Sequence, residues 1–264
     1  MEIIDKADIG VFGGSGFYSF LKDIEEVKMS TPYGPTSDSI FISKIGPHRV
    51  AFMPRHGSKH TIPPHLINYR ANVWAMKHLG CKRVISPCAA GSLQKEIEPG
   101  HFVVCDQFVD WTDGRKSTFF EGPHVEHPSP VDTYCPTLRA LTIETAKALG
   151  IRVHETGTMV VINGPRYSTK AESLFFTRQG WHVIGMTGFP EAYLVKELNM
   201  CPLNISLITD YDAGLIADMP PVSHEAVLKV FNTNVEHLKA LLFKLIEQIP
   251  LEQTCACPAS TQFK

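Results

Sequence analysis

The stretch INYRANVWAMKHLG (residues 67–80) runs directly into CKRVISPCAAGS (residues 81–92), and this pair of segments decides the fold. In the first segment apolar residues recur at helical spacing and Gly80 follows the last of them, which is typical of an amphipathic helix with a glycine C-cap. The second segment is an apolar run that ends in small residues, which is typical of a buried strand. The pair therefore predicts an α/β unit.

The same alternation continues on both sides of this pair. ADIGVF (7–12) and HRVAFMP (48–54) are short apolar runs of the kind that form buried strands. PTLRALTIETAKALG (136–150) and HEAVLKVFNTNVEHLKALLFKLIEQIP (224–250) have helical spacing, and Ser223 is a candidate N-cap for the second. Because no repeat or long linker interrupts this pattern, we expect one α/β domain.

The composition excludes several classes of partner. The chain has 264 residues, of which 44% are hydrophobic and 20% charged, as in an ordinary globular domain. A net charge of -2 gives no electrostatic reason to expect a nucleic acid or an anionic membrane. We find no signal-peptide pattern and no run of eighteen apolar residues. We therefore expect a cytoplasmic protein with no membrane partner and a small-molecule ligand.

The expected division is a domain over residues 1–250 and a tail over residues 251–264. The tail carries Cys255 and Cys257, separated by one alanine, and the chain has seven scattered cysteines without paired CxxC motifs. Two thiols near a polar terminus cannot complete a metal site alone. We therefore predict that most cysteines are buried thiols and that the tail is dispensable.

Two strand-ending loops have anion-binding chemistry. In GVFGGSGFY (10–18) the glycines allow backbone N–H groups to approach an anion, and Ser15 adds a hydroxyl, although the segment taken by itself favours a tight structural turn. In PRHGSKH (54–60), Arg55 and His56 follow a strand and suit phosphate. The histidines of this region offer a metal site as the alternative, but no acidic ligand lies close by in the sequence.

Two further loops suit a ring and a sugar. INGPRYSTKAES (162–173) breaks a strand and begins a helix, with Ser168 or Thr169 as cap and Glu172 completing a capping box. Tyr167 in that turn can stack on a flat ring or simply pack in the core.

The remaining loop candidates follow two more apolar runs. Met186 and Thr187 come after one strand, where a thioether suits a sugar face, although a core methionine is the ordinary alternative. Asp210 and Asp212 end the run NISLITDYD and would share one face of a strand, so the pair needs a cation, a proton or a donor-rich ligand. Taken together, the Ser/Gly, Arg/His, Tyr/Ser and Met/Thr loops predict a nucleoside plus phosphate.

The ordered motifs GGSGFY, TPYGPTSD, PRHGSKHTIPPHLINYRANVWAMKHLG, GPRYSTKAES, GMTGFPEAYLVKEL and ITDYD resemble the methylthioadenosine phosphorylases of the trimeric purine nucleoside phosphorylase family, over about residues 8–249. The resemblance implies a mixed sheet partly closed into a barrel and flanked by helices, in a homotrimer or a dimer of trimers. It implies no metal and no organic cofactor, with inorganic phosphate as co-substrate. The implied reaction, a step of purine and methionine salvage, converts 5′-methylthioadenosine to adenine and 5-methylthioribose 1-phosphate.

The resemblance also assigns roles to residues. The implied phosphate ligands are Ser15, Arg55, His56, Cys88, the backbone at Ala89, and Thr187, with Cys88 departing from the usual hydroxyl. Tyr167 would stack on the base, Ser168 would meet its edge and Met186 would lie along the ribose. His127 would reach across a subunit boundary to close the neighbour's 5′-pocket.

The aspartates and the 5′ end complete this interpretation. Asp210 would deliver a proton or hydrogen bond to N7 of the purine, and Asp212 would raise the pKa of one member of the pair as a like-charged neighbour. Val227 and Leu228 would form an apolar wall for a methylthio group. His224 stands where such enzymes often carry a small apolar residue, so the acceptance of adenosine is left open.

Several alternatives stay open on the sequence. A phosphorylase of 6-oxopurine nucleosides or methylthioinosine is supported by His224 and opposed by Ser168 and the aspartates. An inactive nucleoside-binding protein, a nucleosidase that uses water and a metal hydrolase are the others. Cys135 and Cys201 match positions that form a disulfide in some thermophilic relatives, and we expect them to be reduced in a cytoplasmic mesophile.

Overall fold

In this computed structural model the described residues are 4, 6–13, 23–213, 215–216 and 222–259. The strands are β1 (Ile9–Gly13), β2 (Glu25–Val27), β3 (Ser30–Thr31), β4 (Gly34–Pro35), β5 (Ile40–Ile45), β6 (His48–Pro54), β7 (Arg83–Ser92), β8 (Phe102–Val103), β9 (Gln107–Trp111), β10 (Val153–His154), β11 (Thr158–Ile162), β12 (Val183–Gly185) and β13 (Cys201–Tyr211). The helices are α1 (Tyr69–His78), α2 (Pro136–Ala148), α3 (Lys170–Arg178), α4 (Gly188–Glu197) and α5 (His224–Gln248).

The ten-residue strand β7 is the centre of a mixed sheet. It pairs in parallel with β1 on one side and β13 on the other, and its last two residues pair antiparallel with β12. From β1 the sheet continues through β6, β5 and β2, and from β13 through β8 and β10, while β12 leads to β11 and β9. The predicted α/β domain with a mixed sheet and flanking helices is confirmed, and closure into a barrel stays a prediction.

The segment that opened the sequence analysis folds as predicted. Helix α1 begins after Asn68, whose side chain accepts a hydrogen bond from the Ala71 backbone N–H (3.1 Å), and the chain turns at Gly80 with φ +98°. Its buried face packs on β1 at Gly10, where an added Cβ would lie 2.8 Å from the Met76 sulfur. The absence of a side chain at Gly10 therefore allows the helix to approach the sheet.

Two other helix starts are confirmed. Helix α3 begins with a capping box in which the Thr169 side chain accepts from Glu172 N and the Glu172 carboxylate accepts from Thr169 N. Helix α5 begins after Ser223, whose hydroxyl accepts from Ala226 N at 3.2 Å. The first cap follows the cavity-lining residues Tyr167 and Ser168, and the second begins a helix that lines the cavity described below.

The parallel order of β6, β1, β7 and β13 brings their carboxyl ends to one edge of the sheet. Arg55 follows β6, Ser92 ends β7, and Asp210 lies next to the end of β13. Side chains that are more than one hundred residues apart in the chain therefore meet at this edge, which is where ligands bind in sheets of this kind.

The described part of the tail packs against the domain. Arg83 Nη2 donates to the carbonyls of Pro250 (2.6 Å) and Glu252 (2.8 Å), and Cys257 is 8% exposed within the main apolar cluster. The boundary at residue 250 and the dispensability of the tail stay predictions. A search of the described residues found no helix long and apolar enough to cross a membrane.

Candidate active site

A cavity of about 640 Å³ opens at the carboxyl edge of the sheet. Most of the residues that the sequence singled out line it together: Arg55, His56, Cys88, Ala89, Tyr167, Ser168, Met186, Thr187, Asp210, Asp212, His224, Val227 and Leu228. His127 is exposed on the long loop that joins β9 to α2 (residues 112–135), and it does not line the cavity of its own chain. Ser15 lies outside the described residues.

Arg55 is held by a partner that the sequence analysis did not identify. Its Nε and Nη2 donate to the two carboxylate oxygens of Glu191, both at 2.7 Å, and Nη1 donates to the Pro87 carbonyl at 3.3 Å. Arg55 is 3% and Glu191 1% exposed. Burial opposes the charge of Arg55, but Glu191 outweighs it and raises the pKa of the guanidinium. The ion pair fixes the guanidinium plane and leaves mainly the Nη1 edge for an anion.

His56 is a neutral ring in the ligand-free site. Burial and the charge of Arg55 lower its pKa to about 4. Its Nδ1 lies 2.9 Å from the Ile62 carbonyl, which can only accept, so Nδ1 carries the proton and Nε2 is a hydrogen-bond acceptor. His56 can therefore contact phosphate by accepting from a P–OH group, or after phosphate has drawn a second proton onto the ring.

Thr187 and Cys88 complete the polar wall on this side. Thr187 is the N-cap of α4 but its side chain makes no capping hydrogen bond, and it is 6% exposed and lines the cavity. The helical dihedral angles of α4 are interrupted at Phe189 (φ −117°, ψ 139°), so what Thr187 offers an anion is its hydroxyl group. The Cys88 thiol contacts Ser206 Oγ (3.5 Å) and accepts from Asn204 Nδ2 (3.4 Å), so polar groups of β13 lie beside it.

The two aspartates lie over the same glycine. The ladder between β7 and β13 has a register shift between Ile208 and Asp210, after which the Asp212 N–H donates to the Ser92 carbonyl (2.9 Å). A Cβ added to Gly91 would lie 3.1 Å from Asp210 Oδ1 and 3.7 Å from Asp212 Cβ. Glycine at this position gives both side chains room on one face of the sheet.

Burial is the main reason that both aspartates favour their protonated forms. It raises the pKa of Asp212 to about 6 and also raises the pKa of Asp210, which accepts a 2.8 Å hydrogen bond from Thr209 Oγ1. The like-charged neighbour named in the sequence analysis contributes less than burial does, because the charge of Asp210 is a minor cause of the shift at Asp212. Burial thus makes both carboxyl groups easier to protonate than exposed aspartates are.

Asp212 and Ser168 present polar atoms that the protein does not satisfy. Asp212 Oδ2 and Ser168 Oγ are buried and have no hydrogen-bond partner among the described residues. The hydroxyls of Ser168 and Ser173 lie near this carboxyl and favour its ionised form, although their geometry falls short of a hydrogen bond. Buried polar atoms of this kind need partners, which a ligand with both donors and acceptors can provide.

The raised pKa of Asp212 predicts a stability effect. The folded protein holds this proton more tightly than the unfolded chain, so the stabilisation is complete below about pH 4 and is lost as pH rises through about 6. Asp212→Asn should therefore raise the free energy of unfolding of the ligand-free protein at about pH 8 by roughly 2 kcal/mol, and change it little at about pH 4. Urea unfolding at both pH values measures this, with the exposed Asp113→Asn as control. An equal effect of Asp212→Asn at both pH values would contradict it.

Arg115 connects the long loop to the cavity. It donates to the carbonyls of Asn163 and Met186, each at 2.9 Å, and also to the Phe189 carbonyl. Its guanidinium lies 5.3 Å from the Tyr69 ring centroid. This long loop therefore supports the backbone that carries Met186.

The end of the cavity opposite the sheet is formed by α5. His224, Val227, Leu228 and Phe231 line it at the spacing of one helix face. His60, the last residue of the PRHGSKH segment, also lines the cavity and stacks on His56 (4.5 Å between ring centroids). Its ring lies 6.1 Å from that of His224. The apolar face of α5 thus begins at His224, whose imidazole lies close to that of His60.

Among the described residues, the cavity histidines and aspartates form no group with metal-ligand geometry. The group that does have metal-ligand geometry consists of four cysteines that do not line the cavity.

The sequence and fold of the chain are similar to those of known proteins. The sequence profile described as "Phosphorylase superfamily" matches residues 8–247 of the chain. The chain belongs to the phosphorylase superfamily. It is 50% identical to S-methyl-5′-thioadenosine phosphorylase of Thermofilum pendens over 96% of this chain and 97% of that one. It is 49% identical to a purine nucleoside phosphorylase of Streptomyces coelicolor over 97% and 94% of the two chains.

Solved structures of the phosphorylase superfamily have the same fold. Methylthioadenosine phosphorylase from Schistosoma mansoni, in complex with adenine, superposes with a TM-score of 0.89 at 33% identity, and the match covers 94% of this chain and 93% of that chain. Glu191, which holds Arg55, and Gly91, beneath the aspartates, are residues of the site that the sequence analysis did not identify. The acidic residue following Phe189–Pro190 was the available signal for the first, since a glutamate at a buried helix start needs a cation.

Proposed function

We propose that the protein is a pentosyltransferase that cleaves 5′-methylthioadenosine with inorganic phosphate, giving adenine and 5-methylthioribose 1-phosphate. The observation that carries the proposal is the combination, in one cavity, of the unsatisfied edge of Asp212 and Ser168, the buried Asp210 carboxyl group whose pKa is raised, and the cation of Arg55. Relatives that are named S-methyl-5′-thioadenosine phosphorylase, about half identical over almost the whole chain, support it.

In the proposed reaction a phosphate oxygen attacks C1′ of the sugar while the C1′–N9 bond breaks and its electron pair passes to the base. Asp210 gives its proton to N7, so that adenine leaves as a neutral molecule, and the carboxylate is reprotonated from solvent. Arg55, Thr187 and His56 hold the phosphate. The chemistry needs no covalent bond to the enzyme, because the acceleration comes from positioning and from stabilising separated charges.

The proposed preference for adenine rests on hydrogen-bond complementarity. An ionised Asp212 is an acceptor, and the 6-amino group of adenine is a donor, whereas a 6-oxo purine presents an acceptor at that position. Ser168 can donate or accept, and it suits the neighbouring ring nitrogen. Tyr167 and Met186 lie on the same cavity wall, where they would contact the faces of the base and ribose.

The first test is phosphate-dependent release of free base from 5′-methylthioadenosine, adenosine and inosine, each with and without phosphate. The proposal expects turnover of the first that requires phosphate and exceeds turnover of inosine. Base release without phosphate would indicate a nucleosidase, and tight binding without turnover would indicate an inactive nucleoside-binding protein.

A purine nucleoside phosphorylase with 6-oxopurine substrates is the second candidate. The relative from Streptomyces coelicolor has that name, and His224 at the rim of the cavity suits a 5′-hydroxyl. In the substrate panel, preference for inosine would favour this candidate over ours.

His224→Ala should shift selectivity at the 5′ end. The imidazole can hydrogen-bond a 5′-hydroxyl but gives a methylthio group no comparable partner, so the variant should lose roughly tenfold in kcat/KM for adenosine and less than about threefold for 5′-methylthioadenosine. His237→Ala, on the same helix and outside the cavity lining, is the matched control. An unchanged ratio of the two specificity constants would remove His224 from the site.

The proposed assembly is a homotrimer or a dimer of trimers. In it His127, which is exposed and lies outside the cavity of its own chain, would close the 5′ end of a neighbouring site. Leu228, 44% exposed at that end of the cavity, would be covered by the same contact.

A further inference from the structure

Four cysteines that are scattered in the sequence converge outside the active-site cavity. The sulfurs of Cys135, Cys201, Cys255 and Cys257 all lie within 4.8 Å of one another, and Cys201 Sγ is 3.1 Å from Cys255 Sγ. Cys135, Cys201 and Cys257 are between 0% and 8% exposed. Cys255 and Cys257, which cannot complete a metal site alone, thus lie beside two further thiols. We call this group the cysteine tetrad.

The geometry points to a structural zinc site in which the cysteine tetrad supplies four thiolate ligands. In a tetrahedral tetrathiolate site the Zn–S bonds are about 2.3 Å, which places the sulfurs about 3.8 Å apart. No sulfur–sulfur separation in the tetrad exceeds 4.8 Å, so none has to shorten by more than about 1 Å, and the 3.1 Å pair of Cys201 and Cys255 has to lengthen by about 0.7 Å. Since all four positions are filled by protein sulfur, the site is closed and has no place for a substrate.

The surroundings of the tetrad suit a buried anionic centre. A zinc ion with four thiolates has a net charge of about −2. Cys135 is at the N-terminus of the thirteen-residue helix α2, where backbone dipoles favour negative charge. Arg83, which is 3% exposed, borders the small cavity that Cys135, Cys201 and Cys255 also line. A cation and a helix terminus thus lie beside the thiols.

Hydrogen bonds around the tetrad orient its ligands. Gln253 Nε2 donates to Cys201 Sγ at 3.2 Å and to the Lys82 carbonyl at 3.1 Å. Arg83 holds the backbone just before Cys255 through the carbonyls of Pro250 and Glu252. Donors to a ligating sulfur and supports of this kind are usual around protein metal sites.

A zinc ion at this site would attach the tail to the domain through metal–sulfur bonds. The four ligands come from the start of α2, the start of β13 and the segment after α5. A zinc ion would join these three segments at a single point. Two disulfides would join the same cysteines only in pairs and would exclude the metal, so the two arrangements can be distinguished.

The test uses the full-length protein, purified without chelator from zinc-supplemented cells. Elemental analysis should find roughly one zinc per chain, and intact mass under denaturing conditions should correspond to the fully reduced chain. The Cys255→Ala/Cys257→Ala double variant should retain less than about a tenth of the metal, whereas Cys81→Ala, which removes a buried thiol outside the tetrad, should keep it.

A second measurement does not depend on the variants folding. The reduced wild-type protein, given Co²⁺ alone, should develop the visible absorption pattern of tetrahedral sulfur coordination and lose it when Zn²⁺ is added. A mass that shows disulfides in the purified protein, or reduced thiols that bind neither ion, would overturn the proposal. Equal loss of zinc in Cys81→Ala and in the double variant would also overturn it. Catalytic activity enters none of these readouts, so failure of the proposed function would leave them unaffected.

Discussion

Asp210→Asn is expected to lower kcat for phosphorolysis of 5′-methylthioadenosine by roughly 10²–10⁴-fold, with KM changed only a few-fold. The amide has the shape of the carboxyl group and can still donate a hydrogen bond, but it has no proton to transfer to N7. The replacement therefore separates proton transfer from hydrogen bonding. Steady-state kinetics with saturating phosphate measure the effect, and the exposed Asp113→Asn serves as control.

The pH dependence gives the same prediction a second readout. Burial raises the pKa of Asp210, and the residue acts as an acid only while it is protonated, so kcat of the wild type should fall as pH rises through that pKa. This decline should be absent from Asp210→Asn. A loss of less than about tenfold in the variant would mean that a hydrogen bond to N7 is sufficient and that Asp210 is not the general acid.

Arg55→Met should also have a large effect, because it should change both the KM for phosphate and the free energy of unfolding. It removes the cation of the anion site and leaves the carboxylate of Glu191, 1% exposed, without its partner. We expect KM for phosphate to rise by roughly 100-fold and the free energy of unfolding to fall by about 3–5 kcal/mol. Phosphate titrations of the initial rate and urea unfolding measure the two effects separately.

The double variant Arg55→Met/Glu191→Gln is the matched control for that prediction. It removes the unpaired buried charge, so most of the lost stability should return, whereas phosphate affinity should not. Recovery of normal KM for phosphate in the double variant would contradict a direct role of Arg55 in phosphate binding. A double variant no more stable than Arg55→Met would contradict the ion-pair argument.

The sequence was a good guide wherever the information is local. The spacing of apolar residues predicted α1 and β7, and the capping box at Thr169 and Glu172 was recognisable because both residues lie within one helical turn. Pocket residues could be selected because polar side chains follow apolar strands directly, as Arg55 does. Parallel pairing then brings these strand ends together, as the structure shows.

Long-range pairing is what the sequence could not provide. Arg55 and Glu191 are 136 residues apart, and no local pattern joins them. The cause of the raised pKa of Asp212 depends on its burial, which is known only from the packed structure. The cysteine tetrad combines Cys135 and Cys201 with two tail residues that appear polar and terminal in the sequence. The proposed place of His127 depends on a neighbouring subunit of the proposed assembly, which the sequence of one chain does not describe.

The pairing of Arg55 with Glu191 has a consequence for how an anion reaches the site. The positive charge of Arg55 is cancelled by Glu191, His56 is neutral, and Thr187 contributes only dipoles, so these described ligands have almost no net charge. In the proposed site, phosphate would then be recognised at contact distance by directional donors and would not be attracted over a long range. Its binding should depend little on ionic strength, because added salt screens long-range fields and leaves short hydrogen bonds in a buried site largely unaffected. The enzyme would select phosphate by the shape of its hydrogen bonds more than by its charge.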